Sequence, residues 1–309
     1  MAAPRPQPRD PLPDHPAPGA DPVKLLALIA ALLINSRLPP GGWRSARGFF
    51  RYSAWLQPRL MRLRAWDHGL GVALVLLPPL LPVAILQWSL GGALFGGVGL
   101  VLSVVALCFA FGGGEPLEAE VAAFTAAWRR GDTAAAASAL KALAGGRDEP
   151  MAFEAMPEAA AGHLMLRART RLFAPVFWFV LLGPVGAFGY RLAVLARAFG
   201  DCQDNAGPGY CGRATRLVAG LDWLPDRLMA LTLALAGHFS AAWTVWESEA
   251  AAGAPRRLAE TGMAALGVPL ANAPRDLTAD AVDDAYALLR RTVYVWLALV
   301  AAGVLLIIG

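Results

Sequence analysis

The sequence predicts an all-α fold: a polytopic membrane helical bundle with amphipathic cytoplasmic helices. Three observations lead there. Of 309 residues, 57% are hydrophobic and only 16% charged, at mean hydropathy +0.48, whereas a soluble domain carries about 25% charge. Apolar runs of bilayer-spanning length recur along the chain. Arginine-rich stretches lie between them, as on the cytoplasmic side of membrane proteins, and explain the net charge of +4. No polybasic run of the kind that tracks a nucleic acid occurs, which excludes that class of partner.

Residues 1–22 are proline-rich, with too few apolar side chains to fold, and predict a disordered tail. Residues 25–34 form a short apolar helix. No small-residue cleavage site follows it, so a signal peptide is disfavoured. Being shorter than a full span, it lies at the interface, re-enters, or rests inside the bundle. Residues 37–68 interleave Arg44, Arg47, Arg51, Arg59, Arg62 and Arg64 with Trp43, Phe49, Phe50, Tyr52, Trp55 and Trp66. That mixture predicts a cytoplasmic amphipathic segment with arginines toward anionic headgroups.

Spans are expected at about 69–88, 93–111, 172–190, 221–246 and 292–308. The first should kink at Pro78, Pro79 and Pro82. Residues 112–171 and 247–291 are cytoplasmic helical segments. In the former, Leu117, Val121, Phe124 and Trp128 share one helix face, Gly131-Asp132 breaks that helix, and Gly145-Gly146 ends the next. Gly183-Pro184 interrupts the third span, and the backbone groups freed there need partners inside the bundle.

The stretch 221–246 carries the most unusual polarity. Asp222 is placed to cap a helix whose first turn tolerates Pro225. Arg227 and His238, eleven residues apart, would share one face. Asp222, Asp226, Arg227 and His238 are therefore a candidate ligand-binding stripe, the plainer reading being a salt-bridged helix start and a core histidine. His163, Arg167 and Arg171, at i, i+4 and i+8, are a candidate cytoplasmic anion site or a solvated helix face. Cys202 and Cys211 share one polar loop, as a disulfide or as two thiols. No metal-ligand spacing, phosphate loop or nucleophile motif occurs, so neither metal nor cofactor is expected.

Ala174-Pro175-Val176-Phe177-Trp178, followed by Gly183-Pro184 and Gly189-Tyr190-Arg191, resembles a core segment of the CobD/CbiB cobalamin-biosynthesis family. Asp222-Trp223-Leu224-Pro225 with Arg227-Leu228, and then Gly262-Met263-Ala264-Ala265-Leu266-Gly267-Val268, are similar to two further blocks in the same order. The resemblance implies a single membrane domain over residues 23–309. The family's synthase joins an amino alcohol phosphate to a corrinoid carboxylate by ATP-dependent amide ligation. Such chemistry calls for carboxylates to hold Mg²⁺ and cations for phosphates. Counted back without gaps from Ala174, this chain has Leu166, Arg167 and Thr170 where the synthase has acidic and amide side chains. Val194 and Arg197 likewise replace an Asn and an Asp.

These departures turn the expectation from an enzyme to the AmpE-like branch. That branch is a non-catalytic regulatory signalling modulator of the bacterial inner membrane, multi-pass, linked to muropeptide recycling and β-lactamase induction. His238 matches its Gly-His block. The implied partners are the lipid bilayer and a small ligand or protein of cell-wall recycling. The synthase is the alternative, and a small-molecule transporter a third reading.

Overall fold

Helices supply all the regular structure among the described residues, as the apolar and 3.6-residue patterns require. The computed structural model describes residues 22–35, 37–39, 41–62, 66, 69–89, 96–147, 150–202, 207–248, 253–268 and 277–308. The predicted tail lies outside these, apart from Pro22, as do residues 93–95 of the second expected span.

In order, the helices are α1 (Pro22–Asn35), α2 (Ala46–Arg62), α3 (Gly69–Ser89) and α4 (Gly96–Phe111), then α5 (Leu117–Arg129), α6 (Thr133–Leu143) and α7 (Met156–Ala168). A π turn (Arg169–Phe173) leads from α7 into α8 (Ala174–Leu182) and α9 (Pro184–Cys202). The chain continues with α10 (Pro208–Ala236), α11 (Phe239–Ser248), α12 (Ala254–Ala265) and α13 (Ala279–Ile308). Helix α9 packs against α2, α3, α4, α8 and α10; α10 also meets α11, α12 and α13.

The glycine breaks were legible. Gly131 ends α5, and the Asp132 side chain accepts from Ala135 N–H at 3.0 Å to start α6. Gly183, at φ 69°, separates α8 from α9. The partners owed there come from Gln87 on α3, whose amide donates to the Leu182 carbonyl (3.0 Å) and accepts from Val185 N–H (2.9 Å).

Two helices are long and apolar enough to cross a membrane: Leu70–Ser89 coincides with the expected 69–88, whereas Ala279–Gly303 begins within the expected cytoplasmic segment, thirteen residues before 292. Leu70, Leu77, Leu81, Ile85 and Trp88 on α3 are exposed, as on a lipid-facing helix rather than a core helix. The other three differ from expectation. The described part of 93–111 is a shorter apolar helix, 172–190 is split at Gly183, and 221–246 is split at Gly237. The second split comes where His238 N–H donates to the Ala265 carbonyl of α12 at 2.8 Å, and Gly237 lies so close to that carbonyl that a side chain would collide with it.

Helix α10 also begins fourteen residues earlier than the predicted start at Asp222, so Pro225 lies inside it. An internal proline strips the carbonyl four residues back of its donor. That carbonyl belongs to Leu221, and Trp178 Nε1 donates to it at 3.2 Å.

Residues 37–68 are also corrected in part. Arg47, Arg51, Arg59 and Arg62 are exposed on α2 with Trp55, as predicted. Arg44 is buried and donates to Asn35 Oδ1 at 2.6 Å. Trp66 is buried and stacks on Tyr210 at 4.3 Å. Trp66 turns inward because α9 and α10 cover it with a second apolar core that includes Phe49, Val75, Leu195 and Phe199, whereas Arg44 is drawn toward the end of α1.

Candidate functional site

The polar interior is organised by arginines on either side of the π turn. A π turn holds one residue more than an α turn, which re-aims the side chains around it. Arg169, on the turn, is buried between α9 and α10. Its Nη1 lies 3.2 Å from Asp226, and its Nη2 lies 3.3 Å from Asp222 Oδ2. Asp222 Oδ1 accepts from the Tyr190 hydroxyl at 2.7 Å. Two of the resembling segments, at Tyr190 and at Asp222–Asp226, thus meet at one buried network.

Arg167 and Arg171 face the other way, toward α5. Both converge on the buried Glu120: Arg167 through Nε (2.7 Å) and Nη2 (2.8 Å), Arg171 through Nη1 (3.1 Å). Arg171 Nε also donates to the Phe111 carbonyl at 3.3 Å. Burial, and then the Arg167 charge, lower the Arg171 pKa against the opposing pull of Glu120.

Beside Arg171 opens a cavity of about 250 Å³. Leu32, Leu172, Leu289 and Val293 give it apolar walls, while Asn35, Glu118, Arg171, Tyr286 and Arg290 give it polar groups of both signs. Its size and mixed lining suit a small polar ligand.

The candidate stripe on 221–246 does not form as one face. Asp222 and Asp226 point inward to Arg169, whereas Arg227 lies over the Trp223 ring at 3.7 Å and donates to the Trp223 carbonyl at 2.8 Å. His238 is exposed beyond the Gly237 break, against Gly267. The crevice at Arg227 holds about 20 Å³, room for a single water, and His238 does not line it. His163 sits on α7, one and two turns before Arg167 and Arg171, which meet at Glu120. Cys211 Sγ donates to the Gly200 carbonyl at 3.4 Å, and the Cys202 side chain lies outside the described residues.

Sequence reasoning passed over Arg169, Tyr190 and Glu120. The available signal was the Arg167-x-Arg169-x-Arg171 alternation, a spacing that scatters charge around an α-helix unless the helix is re-aimed there.

Among the described residues no three His, Cys, Asp or Glu side chains come together as a metal site. Asp222 and Asp226 are held by Arg169, and Glu120 by Arg167 and Arg171, so these carboxylates do not fit a resident magnesium ion. No step is assigned to one.

Fold and interior together define an all-helical protein with an arginine-centred polar core. The family described as CobD/Cbib protein matches residues 25–271, and the chain belongs to that family. The chain is 38% identical to a cobalamin biosynthesis protein CobD of Chromobacterium violaceum over 79 residues, 26% of this chain and 25% of the relative. It is 27% identical to the CobD of Stutzerimonas stutzeri over 170 residues, 55% of each. The chain thus spans a quarter and about half of the lengths of these curated relatives. No solved structure matches.

These matches overturn the AmpE-type expectation: the relatives are cobalamin biosynthesis proteins, and β-lactamase induction and cell-wall signalling have no support. That expectation rested on the side chains at a few single positions, whereas the family match extends over residues 25–271.

Proposed function

We propose that this chain acts in cobalamin biosynthesis, as a membrane-embedded adenosylcobinamide-phosphate synthase that ligates an amino alcohol phosphate to a corrinoid carboxylate at the expense of ATP. The observation that carries the proposal is the family match over residues 25–271, which contains Glu120, Arg167, Arg169, Arg171, Tyr190, Asp222 and Asp226.

The cavity beside Arg171 supports it chemically. An amino alcohol phosphate carries an ammonium and a phosphate. Glu118 offers a carboxylate for the first, and Arg171 and Arg290 offer guanidinium groups for the second. The apolar walls exclude water from the bound molecule, which strengthens both contacts. Arg169, Asp222, Asp226 and Tyr190 hold α9 and α10 in place against the π turn that carries Arg171.

The test is genetic. A bacterium lacking its own ligation gene should regain cobalamin-dependent growth when it expresses this chain. No growth, despite the chain accumulating in the membrane, contradicts the proposal.

A further inference from the structure

Between Asp21 and Asp67 the chain carries eight lysines and arginines and no aspartate or glutamate. Helix α2 concentrates that imbalance on one face. At about 100° per residue, Phe49, Ser53 and Leu60 share one side, and they are buried. Phe49 and Leu60 belong to the second apolar core, and α2 packs there against α3 and α9. Arg47, Arg51 and Arg62 fall on the opposite side and are exposed. Trp55 and Arg59 flank them. The Arg59 guanidinium lies over the Trp55 ring at 3.8 Å, yet Trp55 is 57% exposed.

The apolar side of α2 is thus already taken by protein, and the side left free is cationic. Among the described residues no carboxylate forms an ion pair with Arg47, Arg51, Arg59 or Arg62. Arg129, also at the surface, is instead answered by Asp280 and Asp283. Arg47 and Arg51 stand four residues apart, and Arg59 and Arg62 three, spacings at which like charges oppose a helix. An anionic surface over this face removes that opposition.

The place of α2 in the fold says which surface. It ends seven residues before α3, touches it, and so lies beside one end of a helix long and apolar enough to cross a membrane. Leu70, in the first turn of α3, is 64% exposed. Trp43 and Trp55, both exposed, are of the residue type enriched where a bilayer meets water.

We propose that the exposed arginine face of α2 docks on anionic lipid headgroups of the bilayer that α3 crosses. A basic cluster beside a membrane helix gains about fivefold in attachment for each arginine near an anionic surface. The contact is electrostatic and shallow. Guanidinium forks reach lipid phosphates, Trp55 sits among the headgroups, and no apolar face of α2 enters the acyl chains. This surface is independent of the proposed ligation.

The test reconstitutes the full chain in vesicles of phosphatidylcholine and phosphatidylglycerol, extracts it in neutral detergent, and counts the co-purified lipids by mass spectrometry. Phosphatidylglycerol is expected at about threefold or more its share of the vesicle. Arg47→Gln, Arg51→Gln, Arg59→Gln and Arg62→Gln together should abolish the enrichment, and the same four positions changed to Lys should keep most of it, because the charge is retained. Arg130→Gln with Arg216→Gln, exposed arginines elsewhere, should leave it unchanged. In the unsubstituted chain the enrichment should fall as salt rises from about 0.05 M to about 0.5 M, a measurement that needs no variant to fold. No enrichment, or enrichment that persists without the four arginines or in high salt, overturns the proposal. Co-purified RNA in place of phosphatidylglycerol, lost in the glutamine variant, would assign the face to a nucleic acid and overturn it too.

Discussion

At the scale of residues, the interior turns on Arg169. It neutralises two buried carboxylates that stand one helical turn apart on α10, and Tyr190 completes the set. Breaking a buried ion pair from one side costs about 3–5 kcal/mol, because the remaining charge has no partner. Arg169→Met should therefore lower unfolding stability in detergent by about that amount. Adding Asp222→Asn and Asp226→Asn to it should recover most of the loss. If the triple variant is no more stable than the single one, the carboxylates are not what Arg169 serves. The sequence made Asp222 and Asp226 visible as intramembrane acids, which are informative anywhere in an apolar run. It did not reveal their partner, because a charge fifty residues away is paired only by the fold. Trp178 is the same case. Its indole answers the carbonyl that Pro225 leaves without a donor, and without it the proline signals a helix start instead of a helix interior.

At the scale of elements, glycine and apolar periodicity placed most helices, and tertiary contacts decided where they begin and end. Helices α5 and α6 followed from local signals alone, the Asp132 cap and the Gly131 break. Helix α10 did not. Its far end is set by the Ala265 carbonyl of α12, which leaves no room beyond the glycine hydrogen at position 237. That break moves His238 off the helix that carries Arg227. A double-mutant cycle of Arg227→Gln and His238→Gln should then be additive within about 0.5 kcal/mol in unfolding stability. A coupling above 1 kcal/mol would restore the single polar stripe that residues 221–246 first appear to form. The break has a second consequence. Gly237 and His238 meet Ala265 and Gly267 of a resembling segment across it.

At the scale of the whole molecule, composition announced a membrane protein, and membership in the CobD/Cbib family agrees. The exposed apolar side chains of α3 should hold the chain in the bilayer through washes in high salt and alkaline carbonate. Release into the supernatant by either would contradict that placement. The function was less legible than the fold. Acidic residues sought by position appeared missing, while the charge that distinguishes the interior is positive and gathered around a π turn. Such a turn leaves no periodic trace in the sequence. Under the proposed function, this arginine-centred interior serves amide ligation in cobalamin biosynthesis. Mass spectrometry of a reaction containing the purified chain, ATP, Mg²⁺, an amino alcohol phosphate and the corrinoid acid tests it most directly. The expected product is the amide-linked corrinoid phosphate, with its yield falling about tenfold or more in Arg171→Gln. An unchanged corrinoid acid, with folded protein and all substrates present, would contradict it.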